Sequence, residues 1–200
     1  MTEREKAAAG YLYDANYDKE LAVLRDKCKD LCWEFNQLRP SAIAEQRAIL
    51  KQILGHTGDD AFILTAPFWC DYGFNISIGK CFYANYNVVM LDGAKITFGD
   101  YVFIAPGCVF STAGHALDTE QRNAGLEIAL PITVGNNVWF GANVTVLPGV
   151  TVGSDTVIGA GSVVTRDIPS GVIAVGNPCR VLRPITDADR HKYPTALDEK

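Results

Sequence analysis

The chain has 200 residues, 48% of them hydrophobic and 20% charged, with a net charge of −5. This composition fits one globular domain with a small appendage, and the acidic balance argues against a nucleic-acid partner, which would be met by a basic face. No apolar run reaches the roughly 18 residues needed to span a bilayer. The charged start Met1-Thr-Glu-Arg-Glu-Lys6 does not read as a secretory signal, so a cytoplasmic location and no membrane partner are expected.

The first segment, 1–58, reads as helical. Tyr11-Leu-Tyr-Asp-Ala-Asn-Tyr17 is rich in side chains that suit a sugar-contacting loop, and equally an ordinary surface turn. From Lys19 to Leu38, apolar residues recur at Leu21, Leu24, Cys28, Leu31, Phe35 and Leu38, steps of three and four that make one helical stripe. Pro40 ends that helix, because proline disfavours helix at the residue before it. Ser41 then caps a second helix through Leu54, with Gly55 as its stop. The cysteines, Cys28, Cys32, Cys70, Cys81, Cys108 and Cys179, contain no C-x-x-C pair, so reduced, half-buried thiols and no metal are expected.

From about Phe62 the period changes, and residues 59–184 read as a solenoid. Between Val134 and Thr165 a large apolar residue recurs every six residues, at Val134, Phe140, Val146, Val152, Ile158 and Val164. Gly135, Gly141, Gly153 and Gly159 follow four of them. A six-residue period is the mark of a parallel β-helix, in which three hexapeptides make a triangular coil. The glycines are expected at tight corners that need positive φ. Phe98, Ile104 and Phe110 keep the same step, whereas twenty residues separate Ile78 from Phe98, so one coil is expected to carry a two-residue bulge or wider turn. Between 112 and 131 the pattern fails. A polar loop this long inside a compact repeat is uncommon and often functional. Open sheet edges at both ends of the prism need covers. The N-terminal helices fit one end, and the segment after Ile173, with a tail at 185–200, fits the other.

Of the three histidines, His56 and His191 read as solvated, while His115 sits in the interrupting loop. A neutral imidazole there can take a proton from an alcohol near neutral pH, or be an ordinary loop residue. Arg166, Arg180 and Arg183 follow a stretch without lysine or arginine. Three guanidiniums in an acidic chain fit a phosphate-bearing ligand, and fit equally a solubilising end of the prism.

Phe82-Tyr-Ala-Asn85, Gly114-His115, Pro131-Ile-Thr-Val-Gly-Asn-Asn-Val-Trp139, Pro148-Gly-Val-Thr-Val-Gly153, Ile158-Gly-Ala-Gly-Ser162, Val164-Thr-Arg-Asp-Ile-Pro169 and Gly176-Asn-Pro-Cys-Arg180 resemble the maltose/galactoside O-acetyltransferases. The likeness covers nearly the whole chain. Cys70-Asp-Tyr-Gly73 and Leu91-Asp92 lean toward the maltose type. The resemblance implies left-handed coils, a homotrimer with sites between subunits, acetyl-CoA as donor and a sugar hydroxyl as acceptor. It implies His115 as general base and Asn85 beside the acceptor and transition state. It places Asp14, Asp71, Tyr83, Asp92 and Glu127 around the acceptor, and Trp139, Ala142, Ala160, Thr165, Arg166, Arg180 and Arg183 along the donor. Galactoside-type members carry serine where this chain has Ala142, which leaves a backbone N–H as the donor to an oxyanion.

Three alternatives are weighed. An acetyltransferase of the same fold could act on a non-sugar acceptor such as an antibiotic or amino acid. A zinc hydratase on this prism needs several histidines on adjacent coils, and the repeat region holds one. A non-enzymatic scaffold or ice-binding prism would not need the 112–131 loop.

Overall fold

A computed structural model describes residues 1–194 of the chain. It is a left-handed parallel β-helix of about 6 turns with a helical cap at its N-terminal end. Strands of two to five residues stack into three faces. The first face contains His56–Thr57, Ile76–Ile78, Ile96–Phe98, Ile132–Val134 and Thr151–Val152. The second runs from Ile63–Leu64 through Tyr83–Ala84, Phe103–Ile104, Trp139–Phe140 and Val157–Ile158 to Val172–Val175 and Arg180–Pro184. The third holds Phe68–Cys70, Val88–Leu91, Val109–Ser111, Thr145–Val146 and Val163–Val164. The chain visits the faces in that order, coil after coil.

Inward residues stack on their counterparts in exact-length coils: Val134 pairs with Val152, Phe140 with Ile158 and Val146 with Val164. Phe82, Phe98, Phe110 and Phe140 form an aromatic column down the axis, with successive ring centroids 5.2, 5.0 and 5.1 Å apart. The last two pairs, at 85° and 86°, have the favoured edge-to-face geometry, and the first is tilted at 56°.

The expected widening is found, but in two coils rather than one. Most inward steps are six residues, as from Ile78 to Ala84 and from Ala84 to Met90. The steps from Cys70 to Ile78 and from Met90 to Phe98 are eight. Both surpluses lie at the corner between the third and first faces. The 112–131 segment leaves from the same corner one coil later. It is no plain loop: Ala113–His115 and Leu126–Ala129 form an antiparallel hairpin around a short helix, Thr119–Asn123. Tyr13–Asp14 adds to it as a third antiparallel strand.

The corner glycines do something other than expected. Positive φ falls two residues after Gly135, Gly141 and Gly153, at Asn137, Asn143 and Asp155, and at the matching Gly161. Asparagine and aspartate tolerate this region better than other side-chain-bearing residues. Gly135 is instead required by close stacking, since a Cβ there would lie 2.7 Å from the Ser154 amide nitrogen of the next coil.

In the cap, helix α1 (Glu3–Ala8) starts at a capping box made by Thr2 and Glu5. Helix α2 (Lys19–Gln37) is capped by Asp18 and buries Leu21, Cys28, Cys32 and Phe35. Helix α3 (Ile43–Ile53) begins after Ala42, and Ser41 does not cap it. Asn36 on α2 closes the exposed edge of the third face: its side chain donates to the Phe68 carbonyl (3.0 Å) and accepts from the Phe68 amide (2.8 Å). At the far end, Arg180–Pro184 runs antiparallel to Val172–Val175 and closes the second face. Of the expected 185–200 tail, a 3₁₀ turn at Asp187–His191 is seen, and 195–200 lie outside the described residues.

Gly135→Ala is expected to cost roughly 1–3 kcal/mol through overpacking between coils. Gly161→Asn, at an open position with φ +70, is expected to stay within about 0.5 kcal/mol of the parent. Urea melts of the two variants check this; equal losses would show that stacking distance is not what fixes Gly135.

Candidate active site

The expected site residues fall into two groups at different edges of the prism. Asp14, Asp71, Asp92, His115, Glu127, Thr165 and Arg166 gather on the corner between the third and first faces, or on the hairpin that leaves it. Tyr83 and Trp139 lie on the second face. Asn85, Ala142 and Ala160 follow that face at its corner with the third. Among the described residues, no hydrogen bond or ion pair joins one group to the other.

The hairpin sets the first group. Its register puts His115 opposite Glu127, and Glu127 opposite Tyr13 on the third strand. The His115 Nε2 is 3.8 Å from Glu127 Oε1, with the imidazole side chain 57% exposed and the carboxylate side chain 16% exposed. The imidazole therefore faces outward while the carboxylate beside it is held in the sheet. Tyr13 is buried, and burial, reinforced by the nearby Glu127 charge, keeps its phenol protonated well above the usual range. Asp14 is drawn into a local turn, where its Oδ1 accepts from the amides of Asn16 and Tyr17 at 3.2 and 2.8 Å. Asp71 is half-buried. Burial raises its carboxyl pKa and Glu127 adds to the rise, while Arg25 and Lys29 oppose it.

Asp92 corrects the expectation that it lines the acceptor cleft. It has no exposed surface. One of its oxygens accepts from the amides of Asp71 (3.0 Å) and Tyr72 (2.8 Å), and the other from that of Asn75 (3.3 Å). It braces the widened corner of the preceding coil and so fixes the backbone that carries Asp71.

On the second face, Tyr83, Phe103, Trp139 and Val157 are register partners on successive coils. Trp139 is 53% exposed and Phe103 44%, so Trp139 is not a core packing residue. Asn85 sits at the next corner, its Oδ1 accepting from the Tyr86 amide at 2.8 Å. The Ala142 carbonyl accepts from the Gly161 amide (2.8 Å), and among the described residues the amides of Ala142 and Ala160 donate to no protein acceptor.

The three arginines do not form one cluster. Arg166 is exposed beside Thr165 on the corner between the third and first faces. Arg180 and Arg183 lie on the last strand of the second face. Arg183 is already engaged, donating two hydrogen bonds of 2.7 and 2.6 Å to Asp189, whose carboxyl is held far below the usual range by that pair. A phosphate would have to displace Asp189.

The maltose acetyltransferase hexapeptide capping motif matches residues 6–58, and six repeats of the bacterial transferase hexapeptide match residues 131–166. A Saccharomyces cerevisiae protein, provisionally named an acetyltransferase with no acceptor stated, is 51% identical over 185 residues, which is 92% of this chain and 94% of its own length. A galactoside acetyltransferase solved in complex with coenzyme A is 41% identical, with a TM-score of 0.92 over 98% of this chain and 97% of that one. A maltose O-acetyltransferase from Clostridium difficile 630 is 43% identical, with a TM-score of 0.90 over 94% and 99%. The chain belongs to the maltose/galactoside O-acetyltransferase family.

For this acetyltransferase, the structure adds residues that periodicity did not single out. Arg25 lies on α2, where the apolar stripe drew attention away from it. It donates to the Ala15 carbonyl (2.7 Å) and the Tyr72 hydroxyl (3.0 Å), and supplies positive charge beside Asp71. Tyr13 and Tyr72 are buried in one apolar cluster with Ala129 of the hairpin. Among the described residues no helix is long and apolar enough to cross a membrane.

Burial pushes the Asp92 carboxyl up to about 7, against the three amide donors that favour its ionised form. A folded-state pKa above the unfolded value means that the native state binds the extra proton. The stability it contributes is full below about pH 4 and is lost as pH rises through about 7. Asp92→Asn removes this titration. The stability of the parent minus that of the variant is expected to fall between pH 4 and pH 8 in denaturant melts; a pH-independent difference would rule the coupling out.

Proposed function

We propose that the chain transfers the acetyl group of acetyl-CoA to a hydroxyl of a sugar of the maltose, glucose or galactoside kind, as a homotrimer with its sites between subunits. The observation that carries this is the exposed His115 imidazole beside the Glu127 carboxylate, on a hairpin at a different prism edge from Asn85. Relatives whose names include galactoside, maltose and coenzyme A support the substrate classes.

Because the third face lies between the two edges, the halves can meet only if one subunit's hairpin reaches the Asn85 corner of the next. A ring of heterologous contacts that closes by rotation does this at every interface. His115 accepts the proton of the acceptor hydroxyl, whose oxygen attacks the thioester carbonyl carbon. The developing oxyanion is held by the free amide of Ala142 and by Asn85. Collapse breaks the carbon–sulfur bond, and the departing CoA thiolate recovers the proton from the imidazolium. Asp14, Asp71, Tyr83 and Glu127 receive the acceptor's hydroxyls, and Asp92 serves by bracing Asp71. Trp139, Ala160, Thr165, Arg166, Arg180 and Arg183 line the donor, with Arg183 exchanging Asp189 for phosphate.

His115→Ala is expected to lower turnover at least about a hundredfold while the oligomer persists. Asn85→Ala is expected to be similarly impaired. Co-refolding the two inactive variants at equal amounts should rebuild about a quarter of the sites with both residues intact, which a subunit-shared ring requires. Activity that stays at the level of the separate variants would show that each subunit works alone.

A further inference from the structure

Cys28, Cys32 and Cys70 are brought together although Cys70 lies far along the chain from the other two. Cys28 and Cys32 are one turn apart on α2, and Cys70 ends the first strand of the third face, on which α2 packs. The Cys28 and Cys70 sulfurs are 3.4 Å apart, the Cys32 and Cys70 sulfurs 3.7 Å, and all three lie within 4.8 Å of one another. All three are free thiols, with 3%, 0% and 4% of their surface exposed. Cys28 also makes a long contact to the Cys70 carbonyl at 3.9 Å. The coil above sets Met90, a second soft sulfur side chain, in register with Cys70.

We infer that Cys28, Cys32 and Cys70 form a three-sulfur site for one soft, thiophilic cation of the Cu(I) class, seated between α2 and the third face.

An ion about 2.3 Å from three sulfurs in a plane spreads them about 4.0 Å apart. From the observed 3.4 and 3.7 Å, the Cys28–Cys70 and Cys32–Cys70 pairs reach that by opening roughly 0.6 and 0.3 Å, and helix geometry already fixes two of the three donors. Thiolates select soft ions over hard ones. Zn²⁺ in a structural site takes four ligands, and among the described residues no fourth cysteine, histidine or carboxylate joins the trio. A disulfide needs sulfurs about 2.05 Å apart and would leave the third thiol unused. Entry of one Cu⁺ leaves three thiolates around the ion, with every thiol proton of the trio passing to solvent and a net charge of −2 on the bound cluster. No change of oxidation state occurs. The net negative charge lies near Arg25 and Lys29 of the same helix. Bound, the ion ties the helical cap to the solenoid.

The test is anaerobic titration of the reduced full-length protein with Cu(I) against a chromophoric Cu(I) chelator. One equivalent per chain is expected, with X-ray absorption showing three sulfurs at about 2.3 Å. Cys70→Ala and, separately, Cys28→Ala are each expected to weaken uptake about a hundredfold or more, with circular dichroism confirming the fold. Cys81→Ala, at a corner away from the trio, should leave uptake unchanged. Less than one equivalent, uptake that survives both alanine variants, or Zn²⁺ held more tightly than Cu(I) in parallel competition would overturn the proposal.

Discussion

The constraint on which the molecule depends is in-register stacking of very short strands. Each strand of two to five residues is held mainly by the coils above and below it. A single surplus residue within a strand would turn every following side chain from the core to the solvent. Extra residues must therefore leave at a corner, and here the larger surpluses leave at the same one. Two widened turns and then the hairpin occur on consecutive coils where the third face meets the first. His115, Glu127 and the N-terminal strand sit there because the stacked strands leave no room for them within the faces.

That concentration has a consequence for chemistry. A prism can expel material at one edge and keep its other edges smooth, as the regular coils from Val134 onward do. Smooth edges present backbone amides, such as those of Ala142 and Ala160, and flat side chains such as Trp139. These suit an extended donor better than a compact acceptor. In the proposed enzyme, the rough edge of one subunit supplies the base and the carboxylates. The smooth edge of its neighbour supplies Asn85 and the Ala142 and Ala160 part of the donor channel. Assembly then creates the cleft, so neither edge has to be concave by itself.

The solenoid was legible because its signal repeats: the six-residue step from Val134 to Val164 is unambiguous, and its failure after Thr112 marks the hairpin. The widened coil could be counted, but a count between Ile78 and Phe98 does not reveal the earlier widening between Cys70 and Ile78. What one sequence conceals is partnership across coils. Asp92 is expected around the acceptor, whereas three amides from the preceding coil draw its carboxyl group inside. Cys70 gives no hint that it meets Cys28 and Cys32. Arg183 reads as a free cation, but Asp189 six residues later claims it. The Thr2–Glu5 capping box of α1 was present in the sequence as Thr-x-x-Glu and could have been found. The role of Gly135 could not, since both positive φ and close stacking call for glycine.

The N-terminal segment does more than cover an open end. Its strand Tyr13–Asp14 pairs with the hairpin strand that carries Glu127, which in turn pairs with the strand that carries His115. Asn16 reinforces this seam by donating to the Gly125 carbonyl (2.9 Å) and to Glu127 (3.3 Å). Glu3 of α1 accepts from the Asp14 amide at 2.6 Å. An isolated two-stranded hairpin is marginal in water, and a third strand with packing beneath it makes such a unit stable. The position of the imidazole is thus set by residues more than a hundred places earlier in the chain. The cap and the extruded hairpin are one structural unit, so the helical module holds the insertion that carries His115 as well as covering the open end of the solenoid.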